Sequence, residues 1–597
     1  MKAKRELNLQ KAVKALQAQD GDKVVDICRK LLKKDPQNFD VLHLMGVGYK
    51  LLRNNRRALD YYVKALKAQA AGSATLYCNL AFAYLEVREE SNFKASKYAE
   101  KAVAIAPTLV ESHEVSADVN FRTGDCFAAE NSFTQALTLS PNNPRLLRKL
   151  ARSYRESERF DDALDTIRAA LAIAPGDYAI CEEYADILEK RGDTDLALAA
   201  YEELKLHEDA NPVWIDQRII GMLSTHGRPA EVESRALQLI ETHWNLVPPH
   251  LSLIRAGNYP GGVEAGIEVV ESLMRGKHFR LLEDFAIADG FDKEKNYDQS
   301  FKYYLSANRK KREREVSRYK NLNVTLQHHN NIKDVFIGDL HQKMTPRDDL
   351  DEFPTPIFVL GMPRSGTSLT EQLLGMHTKI HPAGELGFLP RLIKYGHGTY
   401  NDFPGQRKKE HWDRVRDVYL KCIQNIGNGA PFVIDKMPHN FEHVGFIRKL
   451  FPNAVVIHTF RDPISNCLSL FRANFGGWHP YAQDLRLLGQ YYAEYQKLMR
   501  FWEGYFGDDI YQSRYEDLVD DMRTAVTEML DRCNLEWEDE IEGFHSVDRI
   551  VRTASNDQVR KPIYKSSKKS WTNYEEQLQP LIESLMTAGA ITEADLA

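Results

Sequence analysis

The chain has 597 residues, 43% of them hydrophobic and 27% charged, with a formal net charge of −6; this length exceeds what one core organises and implies two or more domains. The balance excludes a disordered chain and a strongly basic nucleic-acid binder. No run of about 18 apolar residues occurs, which excludes a membrane-spanning helix. The opening MKAKRELNLQKAVKALQAQD is interrupted by charge throughout and reads as an amphipathic helix, not a secretory leader, so a cytoplasmic protein is expected. The seven cysteines form no CxxC pair and are odd in number, as expected of reduced structural thiols. His439 and His443 in HNFEH have an i, i+4 spacing, but the HExxH order and a third ligand are lacking, so no metal site is expected.

The N-terminal part repeats. Ala95, Ala129, Ala163 and Ala197 stand 34 residues apart, as do Ala102, Ala136 and Ala170, and Ala83, Ala117, Ala151 and Ala185. Pro107, Pro141 and Pro175 keep the same step. Alanine lets paired helices approach closely, and proline ends the second helix of each unit. A less regular unit lies around Pro36, Gly46, Ala58 and Ala65. Period and placement resemble the tetratricopeptide repeat, which implies a solenoid of helical hairpins over residues 1–210. From Asn211 to Lys320 the helical periodicity persists with degraded punctuation, so 211–345 reads as divergent repeats leading into a charged helix. The mixed signs of NRKKREREVSRY suit a solvated or interdomain helix face better than a nucleic-acid surface. Stacked hairpins offer an extended binding surface, so a protein or peptide partner is expected; a purely supporting or dimerising array is the alternative.

Around Asp351 the texture changes. DEFPTP punctuates, and IFVLGMPRSGTSLTEQLLGMH reads as buried strand, tight loop and helix with apolar Leu369, Leu373 and Leu374. Gly361 and Gly366 let the backbone curl with its N–H groups inward. Thr367 and Ser368 add hydroxyl donors, and the helix presents its positive end to an anion. The kinase-type loop GxxxxGK[ST] has lysine where this chain has Thr367, and Arg364 supplies the charge from within the loop. A nucleoside triphosphatase therefore fits poorly.

GMPRSGTSL resembles the 5′-phosphosulfate loop of sulfotransferases, and the stretch Pro356 to Trp571 resembles the tyrosylprotein sulfotransferases more than the small-molecule enzymes. The resemblance implies a P-loop-like α/β domain with a central parallel sheet over residues 346–597, so the whole chain reads as α plus α/β. It places Pro363, Arg364, Ser365, Gly366, Thr367 and Ser368 in the donor loop. HTKIHPAGELGFLPR aligns without a gap with the family's HP-x-x-x-x-GEETRVIPR, putting Glu385 on the catalytic base, with His377, Pro390 and Arg391 also matching. Gly384 replaces the first glutamate, and Gly387 replaces an arginine that helps the family hold acidic peptides. FVIDKMPHN is similar to the NKDP element and places Lys436 on its catalytic lysine. AVVIHTFRDPISNCLSLF maps Arg461 and Ser469 onto the pair that binds the 3′-phosphate; an arginine at a strand end and a serine on the next helix suit one phosphate. QSRYEDLVDD maps Tyr515, and SNDQVRKPIYKSSKKSW maps Ser555 and Lys561, onto further nucleotide contacts.

The resemblance implies 3′-phosphoadenosine-5′-phosphosulfate as donor, with no metal required. Glu385 is expected to take the proton of an acceptor hydroxyl, while Arg364 and Lys436 neutralise charge on the leaving phosphate. Protein tyrosine is the leading acceptor. Sulfation of a glycan, lipid or small metabolite is the alternative, followed by a nucleotide-binding adaptor without catalysis.

Overall fold

A 34-residue step is enough chain for two helices of about 14 residues with two short turns, and the computed structural model has that pattern. It describes residues 2–68, 72–87, 92–274, 281–314, 329–330, 332–334, 336, 353–397, 409–475, 479–546 and 570–596. The chain forms two compact units, one of Met1–Glu183 with Gly387–Phe403, the other of Tyr184–Leu386 with Pro404–Ala597.

In the first unit the helices pair as Lys2–Gln17 with Gly21–Leu32, Phe39–Leu51 with Asn55–Ala68, Ala74–Val87 with Asn92–Ile105, Val110–Thr123 with Cys126–Leu139, and Pro144–Glu156 with Phe160–Ile173. Every alanine of the three 34-residue series is buried, those from Ala95 to Ala197 without residual exposure. A methyl group there lets the helices of a hairpin touch closely. Pro107, Pro141 and Pro175 each lie two residues beyond the end of a second helix, where the missing N–H breaks no helical bond. The opposite ends are capped: Asn38 accepts from the Val41 N–H, Asp125 from Ala128 and Asn143 from Leu146. Charge pairs join successive hairpins, among them Arg145 with Glu114 at 2.6 Å and Arg155 with Glu183 at 2.7 Å.

The sequence does not announce that the helix Phe388–His397 belongs to this unit, although it follows the second strand of the sheet. Leu389, Leu392 and Ile393 are buried, and the helix packs on Asn92–Ile105 and Val110–Thr123. The close approach is at Gly124, in the left-handed region at φ +89°, where a Cβ would stand 2.9 Å from Arg391 Cβ.

The second unit begins with further helices, Thr194–Leu204, Pro212–Thr225 with Pro229–Thr242, Val247–Ala256 with Gly262–Leu273, and Leu281–Lys293 with Tyr297–Arg314. The charged helix is built into the unit: Asn308 donates to Phe471 O at 2.8 Å, Lys311 Nζ to Phe475 O at 2.5 Å, and Arg312 pairs with Asp484 at 2.5 Å. The mixed charges of this helix thus serve packing against the α/β part, as an interdomain face would.

Five parallel strands follow: β1 (Thr355–Leu360), β2 (Ile380–Pro382), β3 (Phe432–Lys436), β4 (Val455–Phe460) and β5 (Ile510–Arg514), in the order β2-β3-β1-β4-β5. The central β1 is covered on both faces, which explains its unbroken apolar run. Ile357 and Val359 pack with Leu369, Leu373, Val526 and Leu530, whereas Phe358 stacks on Tyr419 and lies against Phe451. The α-solenoid followed by an α/β domain with a parallel central sheet is as the sequence implied. No described helix is long and apolar enough to cross a membrane.

Ala163 is fully buried, so Ala163→Leu is expected to destabilise the chain by about 1–3 kcal/mol through overpacking. Chemical denaturation followed by circular dichroism checks this; an unchanged midpoint would show slack between the helices.

Candidate active site

In a parallel sheet the strands end on one edge, and a crevice opens where the strand order reverses direction. Here β1 is that point, since β3 lies on one side of it and β4 on the other. The residues singled out from the sequence follow the C-terminal ends of all five strands: the loop after β1, Glu385 after β2, Lys436 ending β3, Arg461 after β4 and Tyr515 after β5.

The loop Gly361–Gly366 is held from below. Gly361, at φ +144°, has no room for a Cβ, which would run into the Thr459 carbonyl oxygen. Its N–H donates to Pro438 O at 3.1 Å, and Asn466 Nδ2 donates to Pro363 O at 2.8 Å. Ser365 is fully buried, and its hydroxyl bonds Thr459 Oγ1 at 2.8 Å, so this serine ties the loop to β4. Arg364 lies in the left-handed region at φ +71°, which for a non-glycine residue stores about 1–2 kcal/mol of strain. That backbone directs its Nε to Ser469 Oγ at 2.8 Å. Gly366, at φ +110°, lies under Tyr515, whose Cδ2 would be 2.9 Å from a Cβ there. The Arg461 guanidinium lies over the same ring, its carbon 4.6 Å from the centre of Tyr515. Arg364 with Ser469, and Gly366 with Tyr515 and Arg461, are thereby gathered around one loop. Thr367 and Ser368 open the helix Thr367–Leu374, where the first N–H groups have no intrahelical partner.

The second cluster lies at the ends of β2 and β3. Successive strand residues point to opposite faces. Lys436, in register with Val359, faces the helix Thr367–Leu374, while Asp435, in register with Phe358, faces Tyr419. Lys436 is 1% exposed and its Nζ donates to Glu385 Oε1 at 2.7 Å, whereas the Glu385 side chain is 43% exposed. Glu371 Oε2 lies 3.9 Å from the same ammonium, and Glu371 Oε1 accepts the Gly384 N–H at 2.7 Å. Glu371 escaped the sequence reading, although it stands one helical turn past Thr367, facing whatever that turn faces. His377 serves structure: its ring bonds Glu536 O at 3.2 Å and accepts from the Lys379 N–H. The run from Pro438 to His443 is a 3-10 turn, not an α-helix, so the HNFEH spacing does not carry the face it suggested. Ser555 and Lys561 lie outside the described residues.

This donor set, three cations, several hydroxyls and a helix N-terminus on a glycine cradle, suits a ligand with separate phosphate groups.

Residues 356–539 match the sulfotransferase family, and residues 115–178 and 148–212 match the tetratricopeptide repeat. An uncharacterized protein of Aquifex aeolicus (strain VF5) is 31% identical over 387 residues, 62% of this chain and 50% of that protein. Protein-tyrosine sulfotransferase A of Caenorhabditis elegans is 25% identical over 236 residues, 35% of this chain and 58% of the relative. The protein-tyrosine sulfotransferase of Drosophila melanogaster is 23% identical over 241 residues, 36% of this chain and 46% of the relative. The chain spans about half the length of the curated relatives it matches.

Asp435 adds a pH dependence. Burial pushes its carboxyl up from the ordinary 3.8 to about 7, against the opposing pull of the Tyr419 hydrogen bond. Between those pH values the folded chain holds a proton that the unfolded chain releases, so this stability is full below about pH 4 and is lost as pH rises to about 7. Asp435→Asn keeps an acceptor for Tyr419 and removes the titration. Its melting temperature is expected to vary less than wild type from pH 4 to pH 7, and an equal slope in the two proteins would rule out titration of Asp435.

Proposed function

We propose, for a chain that joins tetratricopeptide-repeat hairpins to a region matching the sulfotransferase family, that it moves a sulfuryl group from 3′-phosphoadenosine-5′-phosphosulfate to an acceptor hydroxyl. The observation that carries this reading is the meeting of the Lys436–Glu385 pair with a glycine-cradled loop at one sheet edge. In the proposed reaction the acceptor oxygen bonds to sulfur as the bond from sulfur to the 5′-phosphate oxygen breaks. Glu385 takes the hydroxyl proton, and the nucleotide leaves with the electron pair. A base must be reachable by the acceptor and a charge-neutralising lysine need not be; the exposed Glu385 and enclosed Lys436 agree with that division. Arg364 and the loop N–H groups would hold the 5′ side, and Arg461, Ser469 and Tyr515 the 3′-phosphate side, with Ser555 and Lys561 as further nucleotide contacts.

Protein tyrosine is the leading acceptor, because two of the relatives are named for that activity, and the repeats would then hold the polypeptide. A glycan, lipid or small hydroxyl compound is the second reading. It is favoured by Gly387, which stands where the resembling family has the arginine that helps hold acidic peptides.

Calorimetric titration with 3′-phosphoadenosine-5′-phosphate tests the donor: tight binding by wild type and a loss of about 2 kcal/mol or more in Arg461→Ala are expected, as for a charged hydrogen bond removed from a buried anion site. Absence of binding to wild type would end the sulfotransferase reading. Glu385→Gln is expected to lower kcat by about a hundredfold or more with nucleotide affinity nearly unchanged. Full activity in that variant would remove Glu385 as the base. Labelled donor offered with acidic tyrosine peptides, glycans and phenols separates the acceptor classes.

A further inference from the structure

Glu371 has no part in the sulfuryl-transfer reading, yet it is buried beside the two groups on which that reading depends. Its two oxygens are divided. Oε1 accepts the N–H of Gly384, the residue before Glu385, and Oε2 faces Lys436 Nζ at 3.9 Å. Gly384 is itself in the left-handed region at φ +72°, so the hydrogen bond fixes a turn that few other backbones adopt. One side chain on the phosphate-loop helix thus braces the candidate base and the candidate lysine together.

Lys436 Nζ occupies Glu385 Oε1, so that oxygen is open to the acceptor's proton only when Lys436 turns from it toward the donor's sulfonate. An enclosed ammonium making that move needs an anion that stays with it, because an uncompensated buried charge is strongly unfavourable. Among the described residues three carboxylates neighbour Lys436. Glu385 is the one being released. Asp435 projects to the opposite face of β3, where it is bonded to Tyr419. Glu371 remains.

We infer that Glu371 is the positioning residue of this site, holding the Gly384–Glu385 turn and keeping Lys436 countered as the ammonium passes from Glu385 to the donor. The inference rests on the sulfuryl-transfer reading. Glu371 touches neither donor nor acceptor in it and acts through Lys436 and Glu385.

The test is steady-state kinetics with labelled donor, calorimetry with 3′-phosphoadenosine-5′-phosphate and thermal melting, on wild type, Glu371→Gln and Glu371→Asp. The glutamine keeps an acceptor for the Gly384 N–H and removes the charge. It is expected to lower kcat about tenfold or more while acceptor KM, nucleotide affinity and melting temperature stay near wild type. The aspartate keeps the charge and gives up reach, with an expected loss in kcat of about threefold or more; it decides the matter if the glutamine variant does not fold. Wild-type kcat in a folded variant overturns the inference. So does a loss of nucleotide affinity and thermal stability in step with kcat, which marks a structural prop. A wild-type enzyme that binds the nucleotide and transfers no sulfuryl group to any acceptor fails the underlying reading itself, and is recognised without reference to the variants.

Discussion

The enclosed ammonium of Lys436 is the constraint around which the α/β unit is arranged. A charge that is 1% exposed persists only where anions replace the lost water, and here they come from two different elements, Glu385 after β2 and Glu371 on the helix after β1. Both elements must therefore stay in place for β3 to end as it does. The Lys436 N–H adds a backbone link to Gly384 O at 2.9 Å. Removing both carboxylates would leave charge behind in a crowded interior, which explains why the ends of β2 and β3 and the loop helix form one connected piece.

The other side of the crevice is held by contacts of a different kind. Gly361 and Gly366 are positions where backbone and ring approach too closely for a side chain, and Arg364 takes up a strained conformation that directs it to Ser469. Ser469 lies on the helix Pro463–Arg472, and that helix is braced at its far end: Asn308 bonds the Phe471 carbonyl, Arg472 pairs with Asp292, and Phe301 stacks on Phe471. The last helical hairpin is in this way part of the support for the candidate nucleotide side. Strain at Arg364 can be maintained because its surroundings are fixed from both the sheet and this hairpin.

The repeats of the first unit combine small residues at the helix contacts with larger buried ones such as Leu42, Met45, Tyr62 and Leu80. Alanines at the helix contacts bring backbones close, and carboxylate–guanidinium pairs between successive hairpins occupy positions about one repeat apart. The Arg145–Glu114 pair, with an exposed arginine, contributes about 0–1 kcal/mol, and in the enclosed Arg155–Glu183 pair attraction is set against desolvation, so the buried alanines and the ring stacks such as Tyr77 with Tyr98 and Tyr84 with Tyr98 carry more of the cohesion.

Regularities that are local in the chain were readable without coordinates. The 34-residue alanine and proline series determined the hairpins, because each signal lies within two adjacent helices, and the run IFVLGMPRSGTSL determined a strand, a loop and a helix, because glycine freedom and apolar burial act over a few residues. Positions carried over by resemblance, Glu385, Lys436, Arg461 and Tyr515, could be placed at strand ends because each adjoins such a local signal, and Ser469 on the helix that follows Arg461. Glu371 and Asp435 were not, since a carboxylate in a helix or strand looks the same whether it meets solvent, a lysine 65 residues on, as Glu371 does, or a tyrosine 16 residues back, as Asp435 does. The membership of Phe388–His397 in the repeat unit was equally hidden: its apolar face is legible, but its partner on Gly124 lies more than 250 residues earlier. Only the folded chain decides which buried face meets which, because packing partners and the pairing of enclosed charges depend on distances that the order of residues does not contain.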